Sequence, residues 1–466
     1  MQSGRLQCST NLIWFIGIIC CLIGLIWSLV PHPVVPIALA LIPIALIIVV
    51  HFSVPIGLLF IVFSFFRIHE AIPVLYSLRI PLLLSLATIS TLTWHLMISK
   101  KIKPYSRPEL RAFFIFFIIV FIGLLFSANR TIAIAYFQST YIKMAIMVPV
   151  LAWLLTEVKH FKLTLLMMSC AGLIVGFIAL FNKINGIGLV EETRVTIGRN
   201  IESILGDPND LSLVLLFPLS FAISLLLTIG LSLRLRLFGF VATIVLFSAI
   251  MATQSRGGLL GVLAVVGIVT YRRIKSKALF FSAGGLCTVA LFIVAGISGR
   301  KSGGAVEAGV DESAMGRLHA WEAAFGMALD NPLTGVGINT FYSNYYYYTP
   351  FWDGLNHAVH STWFGVLAET GFVGLAAYLI MMTRIFKASR NTLNIVTHPS
   401  SKYPAVVRAI SEGNFAGFLS FCVSGSFLTQ GFTWPIYILL ALTASVAQFV
   451  ENKEASNYAY KDREII

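Results

Sequence analysis

Long apolar runs separated by short polar segments dominate the pattern of hydrophobic and polar positions along the chain. About 20 apolar residues are enough to cross the hydrocarbon core of a bilayer as a helix. The strict alternation that marks the strands of a transmembrane barrel is not the pattern here. The runs predict fourteen spans, at residues 11–30, 34–50, 54–66, 79–98, 110–127, 139–155, 163–181, 209–229, 236–252, 258–271, 279–297, 361–382, 413–429 and 434–450.

The predicted fold class is all-α, a polytopic helical membrane protein with one large external loop. Two runs, 54–66 and 258–271, are short, so we expect about 12–14 transmembrane helices. The composition agrees, because 58% of the 466 residues are hydrophobic and only 11% are charged, against about 25% charged in soluble proteins. A soluble domain, a disordered chain and a secreted disulfide scaffold are therefore excluded.

The positive charge is distributed in the way that orients a membrane protein. The net charge is +13, but Lys and Arg form short clusters between apolar runs, for example in 99–111 and 272–278. Such clusters mark cytoplasmic segments, and their alternation predicts that both termini are cytoplasmic. This distribution indicates membrane lipid as a partner and no nucleic acid. None of the six cysteines forms a CxxC pair, so neither a disulfide framework nor structural zinc is expected.

The spans divide the chain into four parts. Residues 1–297 hold the first eleven helices, 298–360 form the large external loop, 361–450 hold the last three helices, and 451–466 form a cytoplasmic tail. Within the loop, 298–313 reads as a flexible linker and 314–330 as a helix with one periodic face. The aromatic stretch from Phe341 to Trp352 has two interpretations: an interfacial belt at the lipid headgroups, or a platform on which sugar rings stack.

Two external arginines are candidate anion ligands. Arg256 lies in the stretch Ser255-Arg256-Gly257-Gly258, and Arg317 lies in the loop helix. The plain interpretation of Arg256 is an interfacial anchor. The plain interpretation of Arg317 is a solvated charge packed on Trp321. The functional interpretation is a clamp, because the guanidinium group matches two phosphate oxygens at once and glycines let a phosphate approach a helix N-terminus.

His360 is the candidate catalytic residue, because it precedes a span where the external loop re-enters the membrane. Histidine exchanges a proton near neutral pH, although an ordinary interfacial histidine would fit the same position. His357 and His360 could share a metal, but we disfavour this because no carboxylate lies at a matching offset. Glu369 is nine residues on, about two and a half helical turns, and so points away from His360.

The external motifs resemble the O-antigen ligase family, whose superfamily also contains O-antigen polymerases. The resemblance runs from about residue 200 to 385. It is carried by Gly206-Asp207-Pro208-Asn209-Asp210, Ser255-Arg256-Gly257-Gly258, Gly316, Arg317, Trp321, Ala324, Asn331-Pro332, Gly335, Gly337, His360, Leu367, Glu369 and Gly371.

The resemblance implies a membrane glycosyltransferase of lipopolysaccharide biosynthesis in the bacterial inner membrane, with its active site on the periplasmic side. The donor would be an undecaprenyl diphosphate-linked glycan, and the acceptor lipid A–core oligosaccharide. The family's catalytic histidine corresponds to His360, and its conserved arginines correspond to Arg256 and Arg317.

We expect no cofactor and no metal. The first external loop, 31–33, has no acidic residue, so the two arginines would stabilise the leaving diphosphate in place of a metal, during a single inverting displacement. Two alternatives stay open: an O-antigen or exopolysaccharide polymerase of the same superfamily, and a lipid-linked glycan transporter. The transporter is disfavoured because the spans carry few charges and show no internal repeat.

Overall fold

The computed structural model describes residues 47–72, 78–201, 203–294 and 312–464, with a few isolated positions before residue 47 and at residue 75. Within these ranges every regular element is helical except for a single β-bridge between Val190 and Arg194. Most of the predicted spans 11–30 and 34–50, the loop at 31–33 and the linker up to residue 311 lie outside the described residues.

Sixteen α-helices are used below, and two π-helical turns, Trp94–Ile98 and Phe137–Tyr141, extend α3 and join α5 to α6. The helices are α1 (Ser53–Phe65), α2 (Ile68–Ala71), α3 (Ile80–Thr93), α4 (Pro108–Gly123), α5 (Arg130–Tyr136), α6 (Ile142–Leu154), α7 (Val158–Asn185), α8 (Pro208–Leu227), α9 (Leu233–Thr253), α10 (Arg256–Tyr271), α11 (Lys277–Val294), α12 (Glu312–Asp330), α13 (Phe341–Tyr348), α14 (Thr362–Thr397), α15 (Ala405–Ser424) and α16 (Trp434–Glu464).

Each of the predicted spans from 54–66 onward coincides with a helix, which confirms an all-α polytopic membrane fold. Seven helices within the described ranges are long and apolar enough to cross a membrane, and α1, α10 and α11 are shorter apolar helices. The helices α4 and α15 occupy two further predicted spans and carry charged residues at their polar ends.

The interior of the bundle is built around α8. Every residue of α8 from Leu211 to Leu225 is buried, as expected for a helix surrounded by other apolar helices. Glycine allows two neighbours to approach closely: a Cβ on Gly239 of α9 would lie 2.7 Å from the backbone nitrogen of Leu226. Close packing at small residues is the usual mode of helix association in membranes.

The segment between the predicted spans 361–382 and 413–429 is mostly helical. The helix α14 continues to Thr397 and α15 begins at Ala405, which leaves only a short connection. The basic residues that lowered the hydropathy after 382 are good helix formers, so the chain leaves the apolar layer without leaving the helix. The segment predicted as the tail is also largely helical, because α16 continues to Glu464.

Candidate active site at three helix N-termini

His360 lies at the turn that leads the chain into α14. Its backbone is left-handed, with φ of 48°, a conformation uncommon for a residue other than glycine and often found at functional sites. The backbone N–H of His360 donates to Thr429 Oγ1 at 3.1 Å, and the next residue, Ser361, accepts from Phe364 N as the N-cap of α14. These contacts fix the backbone of His360 at the start of α14.

The loop helix α12 folds onto this turn. The indole N–H of Trp321 donates to the carbonyl oxygen of Val359 at 3.0 Å, and its ring stacks on Phe364 with centroids 5.2 Å apart. Arg317 lies one helical turn before Trp321, on the same side of α12. Its positive charge acts on His360, so the structure brings Arg317 and His360 together.

The protein environment favours the neutral form of His360. Burial lowers the pKa of His360 below the ordinary value of 6.5, and the charge of Arg317 lowers the pKa further, whereas Asp207 acts in the opposite direction. Within the described part of the chain, neither imidazole nitrogen of His360 makes a hydrogen bond to another residue. A neutral imidazole of this kind is able to accept a proton from a bound hydroxyl group.

Two further helix N-termini meet beside this turn, joined through Asn209. The side-chain oxygen of Asn209 accepts from Ser255 Oγ at 2.9 Å and from Arg194 Nη2 at 2.9 Å. Ser255 in turn caps α10 by accepting from Gly258 N at 3.2 Å. Asp207 caps α8 by accepting from Asn209 N at 2.7 Å.

Gln430 connects these N-termini to α14. Its side-chain amide donates to Asp210 Oδ1 at 2.7 Å, while its backbone N–H donates to Thr362 Oγ1 at 3.2 Å. The N-termini of α8, α10 and α14 therefore lie next to one another. Since the N-terminus of a helix carries a partial positive charge and unpaired N–H groups, the combined arrangement is suited to an anionic ligand.

Arg256 occupies the first turn of α10, within this arrangement. Its neighbour Gly257 packs against the 425–430 segment, where an added Cβ would lie 3.4 Å from Phe427 Cβ. The same segment supplies Thr429, which holds the backbone of His360. Arg256 is thus linked to His360 through a single connecting segment.

A break in α14 docks the large loop against the membrane helices. At Gly371 the backbone departs from helical geometry, with φ of 68° and ψ of −171°. Phe372 N there donates to Pro332 O at 2.8 Å, and Val336 N donates to Ala368 O at 2.9 Å. A Cβ on Gly371 would lie 2.5 Å from Pro332 O, so only glycine fits this position.

Glu369 also holds the large loop against α14. Its buried carboxylate accepts from Asn339 N at 2.8 Å and from Phe341 N at 3.3 Å, at the start of α13. Glu369 is therefore committed to holding the loop, which explains why an acidic residue lies inside an apolar helix. The family-like residues fall into two groups: those around His360, and those that attach the loop on which Arg317 lies.

The aromatic stretch forms α13 and the loop after it. Tyr345 is buried, and its ring lies 5.4 Å from the ring of His357. His357 is paired with Asp353 at 2.7 Å between Nε2 and Oδ2, a partner that the sequence did not reveal. Phe341 is buried and Tyr348 is partly buried, whereas five aromatic side chains are exposed: Tyr342, Tyr346, Tyr347, Phe351 and Trp352.

Sequence reasoning missed Arg194, Thr429 and Gln430. Arg194 is buried, and besides Asn209 it donates to Thr253 O at 3.1 Å. An arginine in a loop predicted to be external was a detectable signal, because such loops carry few basic residues. Gln430 and Thr429 had only a weak signal, as polar residues between two apolar runs.

The fold and this site define a class: a multi-pass helical membrane protein with a histidine- and arginine-containing polar site at one end of its helices. The O-antigen ligase family model matches residues 241–379, so this region of the chain is similar to the O-antigen ligase family. The match includes Arg256, Arg317 and His360 but not the 206–210 stretch, so it is narrower than the predicted resemblance. No curated protein matches the chain.

This match supports the superfamily of O-antigen ligases and polymerases, without separating the two. It indicates glycosyltransferase chemistry in a membrane, with a lipid-linked glycan as a substrate of the family. Among the described residues, no group of three or more His, Cys, Asp or Glu side chains is arranged to hold a metal ion.

Proposed function

We propose that the protein is an O-antigen ligase, which moves a glycan from undecaprenyl diphosphate to the lipid A–core oligosaccharide. The observation that carries the proposal is the arrangement around His360. A histidine that is kept neutral, and whose imidazole is not bonded within the described structure, lies beside the charge of Arg317 at three adjacent helix N-termini.

In the proposed reaction the diphosphate of the donor binds to Arg256 and Arg317, near the N-termini of α8, α10 and α14. His360 removes the proton from a hydroxyl group of the acceptor sugar. The acceptor oxygen attacks the anomeric carbon while the bond between that carbon and the phosphate oxygen breaks. The diphosphate leaves with its added negative charge, which the two guanidinium groups and the helix N-termini stabilise.

This displacement inverts the anomeric configuration and needs neither ATP nor a metal. The energy comes from the glycosyl–phosphate bond that is broken. The reaction takes place on the periplasmic side of the bacterial inner membrane, with both termini in the cytoplasm. The distribution of basic residues supports this orientation, since the clusters at 99–111 and 272–278 fall on the side opposite to His360.

The test is transfer by the purified protein in lipid vesicles, with lipid-linked glycan as the donor. With lipid A–core present we expect glycan to appear on lipid A–core, and without it we expect no product. Longer lipid-linked chains in the absence of lipid A–core would instead identify a polymerase. A lipopolysaccharide gel of a strain that lacks the protein tests the same proposal in cells, where the O-antigen ladder should disappear.

A further inference from the structure

A second polar cavity lies on the same side of the bundle as His360, away from Arg256 and Arg317. Its volume is about 360 Å³. It is lined partly by basic side chains and partly by apolar ones. The basic residues are Arg67, His69, Arg79 and Lys143, and the apolar ones include Phe60, Pro81, Leu82 and Trp434.

The positive charge of this cavity is only partly compensated. Arg67 forms an ion pair with Glu70, and Glu70 also accepts from Ser203 Oγ at 2.6 Å. Over the ranges that the structure describes, the side chains of Arg79 and Lys143 make neither a hydrogen bond nor an ion pair. The cavity therefore presents two uncompensated cations and one compensated pair.

Two other features indicate that the cavity is built for a ligand. Lys143 lies in the first turn of α6, inside a candidate membrane span, where an ionisable side chain is costly and usually functional. His69 also lines the cavity, and its Nδ1 is buried with no hydrogen-bond partner among the described residues. A buried polar atom is normally paired.

The cavity adjoins the active site without sharing its arginines. Ser203 ties Glu70 to the segment that leads into Asp207. On the other side, Trp434 of the cavity wall follows the 425–433 segment, and Tyr136 Oη donates to Phe432 O at 3.0 Å. A ligand bound in the cavity would be separated from the site of transfer by one chain segment.

We propose that this cavity binds the phosphate group of a membrane lipid, with Arg79 and Lys143 as its cationic ligands. A lipid is favoured over free phosphate because the apolar wall continues onto α3, a helix with many exposed apolar side chains, where Leu82 is 46% exposed. If the proposed function holds, this lipid is the acceptor substrate, since the donor diphosphate is assigned to Arg256 and Arg317.

Binding is tested by the thermal stability of the purified full chain in detergent, with three probes. The probes are phosphatidic acid, diacylglycerol with the same acyl chains, and inorganic phosphate. We compare the wild type, Arg79→Gln/Lys143→Gln, and the control Arg384→Gln/Lys387→Gln, which removes two cations from a different surface hollow on α14.

Phosphatidic acid should raise the melting temperature of the wild type and the control, but not that of the cavity variant. Diacylglycerol and inorganic phosphate should not raise the melting temperature of any of the three proteins. An equal rise in melting temperature with phosphatidic acid in all three proteins would show that Arg79 and Lys143 do not form the binding site. A shift with inorganic phosphate as large as that with phosphatidic acid overturns the assignment to a lipid.

Transfer assays test the role of the lipid separately. Arg79→Gln/Lys143→Gln should raise the KM for the acceptor at least tenfold and leave the KM for the donor unchanged. A rise in the donor KM alone would contradict the acceptor assignment. If the wild type binds phosphatidic acid but transfers no glycan, the assignment of the cavity to a lipid phosphate is upheld and the proposed function is wrong.

Discussion

The indole N–H of Trp321 donates a hydrogen bond of 3.0 Å to the carbonyl oxygen of Val359, the residue immediately before His360. The same indole stacks on Phe364, just inside α14. Trp321 therefore contacts the chain on both sides of the turn that holds His360. Through this contact the position of α12, and with it the position of Arg317, is fixed relative to the imidazole.

Replacement of Trp321 by phenylalanine should keep the ring contact and remove the hydrogen bond. We expect Trp321→Phe to lower the free energy of unfolding by about 1 kcal/mol and to reduce kcat, because α12 is held less firmly over His360. Thermal unfolding and transfer kinetics measure the two effects. Trp352→Phe, at an exposed indole, is the matched control, and equal behaviour of the two variants would contradict the proposed role of Trp321.

Removal of the imidazole of His360 should abolish transfer. The loss of a general base lowers a rate by about 10²- to 10⁴-fold, so His360→Ala should show this loss with normal expression and membrane insertion. His357→Ala is the control, because His357 is a nearby histidine that is paired with Asp353. Transfer by His360→Ala at a rate close to that of the wild type would exclude His360 as the base.

The dependence of transfer on pH should follow the charges around His360. Burial and Arg317 lower the pKa of His360, so the neutral, active form persists below pH 6.5 and activity falls only on further acidification. Arg317→Gln removes a charge that lowers this pKa, so the acid limb of the pH profile of this variant should move to higher pH. Asp207→Asn removes a charge that raises the pKa, so the acid limb of the pH profile of this variant should move to lower pH.

The measurement is kcat/KM as a function of pH for the three proteins. Asparagine is chosen at Asp207 because it also caps helices well, so α8 keeps its N-terminal hydrogen bonds. Acid limbs that coincide in all three proteins would show that His360 does not limit the reaction at low pH.

Lysine should replace Arg256 and Arg317 poorly. A diphosphate clamp needs the planar guanidinium group with its two parallel donors, whereas an interfacial anchor needs only positive charge and reach. We expect Arg256→Lys and Arg317→Lys each to lose most of the transfer activity at unchanged protein levels. Quantified membrane fractions and transfer assays check this, and full activity of either lysine variant would remove that arginine from the clamp.

Transfer should continue in excess EDTA. The proposed leaving-group stabilisation uses guanidinium groups and helix N-termini, so a chelator has no essential ion to remove. The assay compares initial rates with and without EDTA, followed by Mg²⁺ or Mn²⁺. A loss of activity that either ion restores would contradict the metal-independent mechanism.

The membrane helices followed from the sequence because burial in lipid demands a long apolar run, and that demand is local. The end of α14 did not follow from the sequence, since Arg384 and Lys387 lower the hydropathy but continue the helix to Thr397. The role of Glu369 also needed the structure. The prediction separated it from His360 by its distance along a helix, but nothing local indicated that it accepts from Asn339 N and Phe341 N.

The sequence by itself determined the fold class and the candidate residues, because apolar run lengths, charge clusters and external motifs can each be read within a short window. Only the tertiary structure decided which of these residues meet. The charge of Arg317 acts on His360 because Trp321 binds Val359, and the N-termini of α8 and α14 adjoin because Gln430 bonds to Asp210 and Thr362. Such contacts join residues that are far apart in the chain, so they depend on how whole helices pack and not on any local pattern.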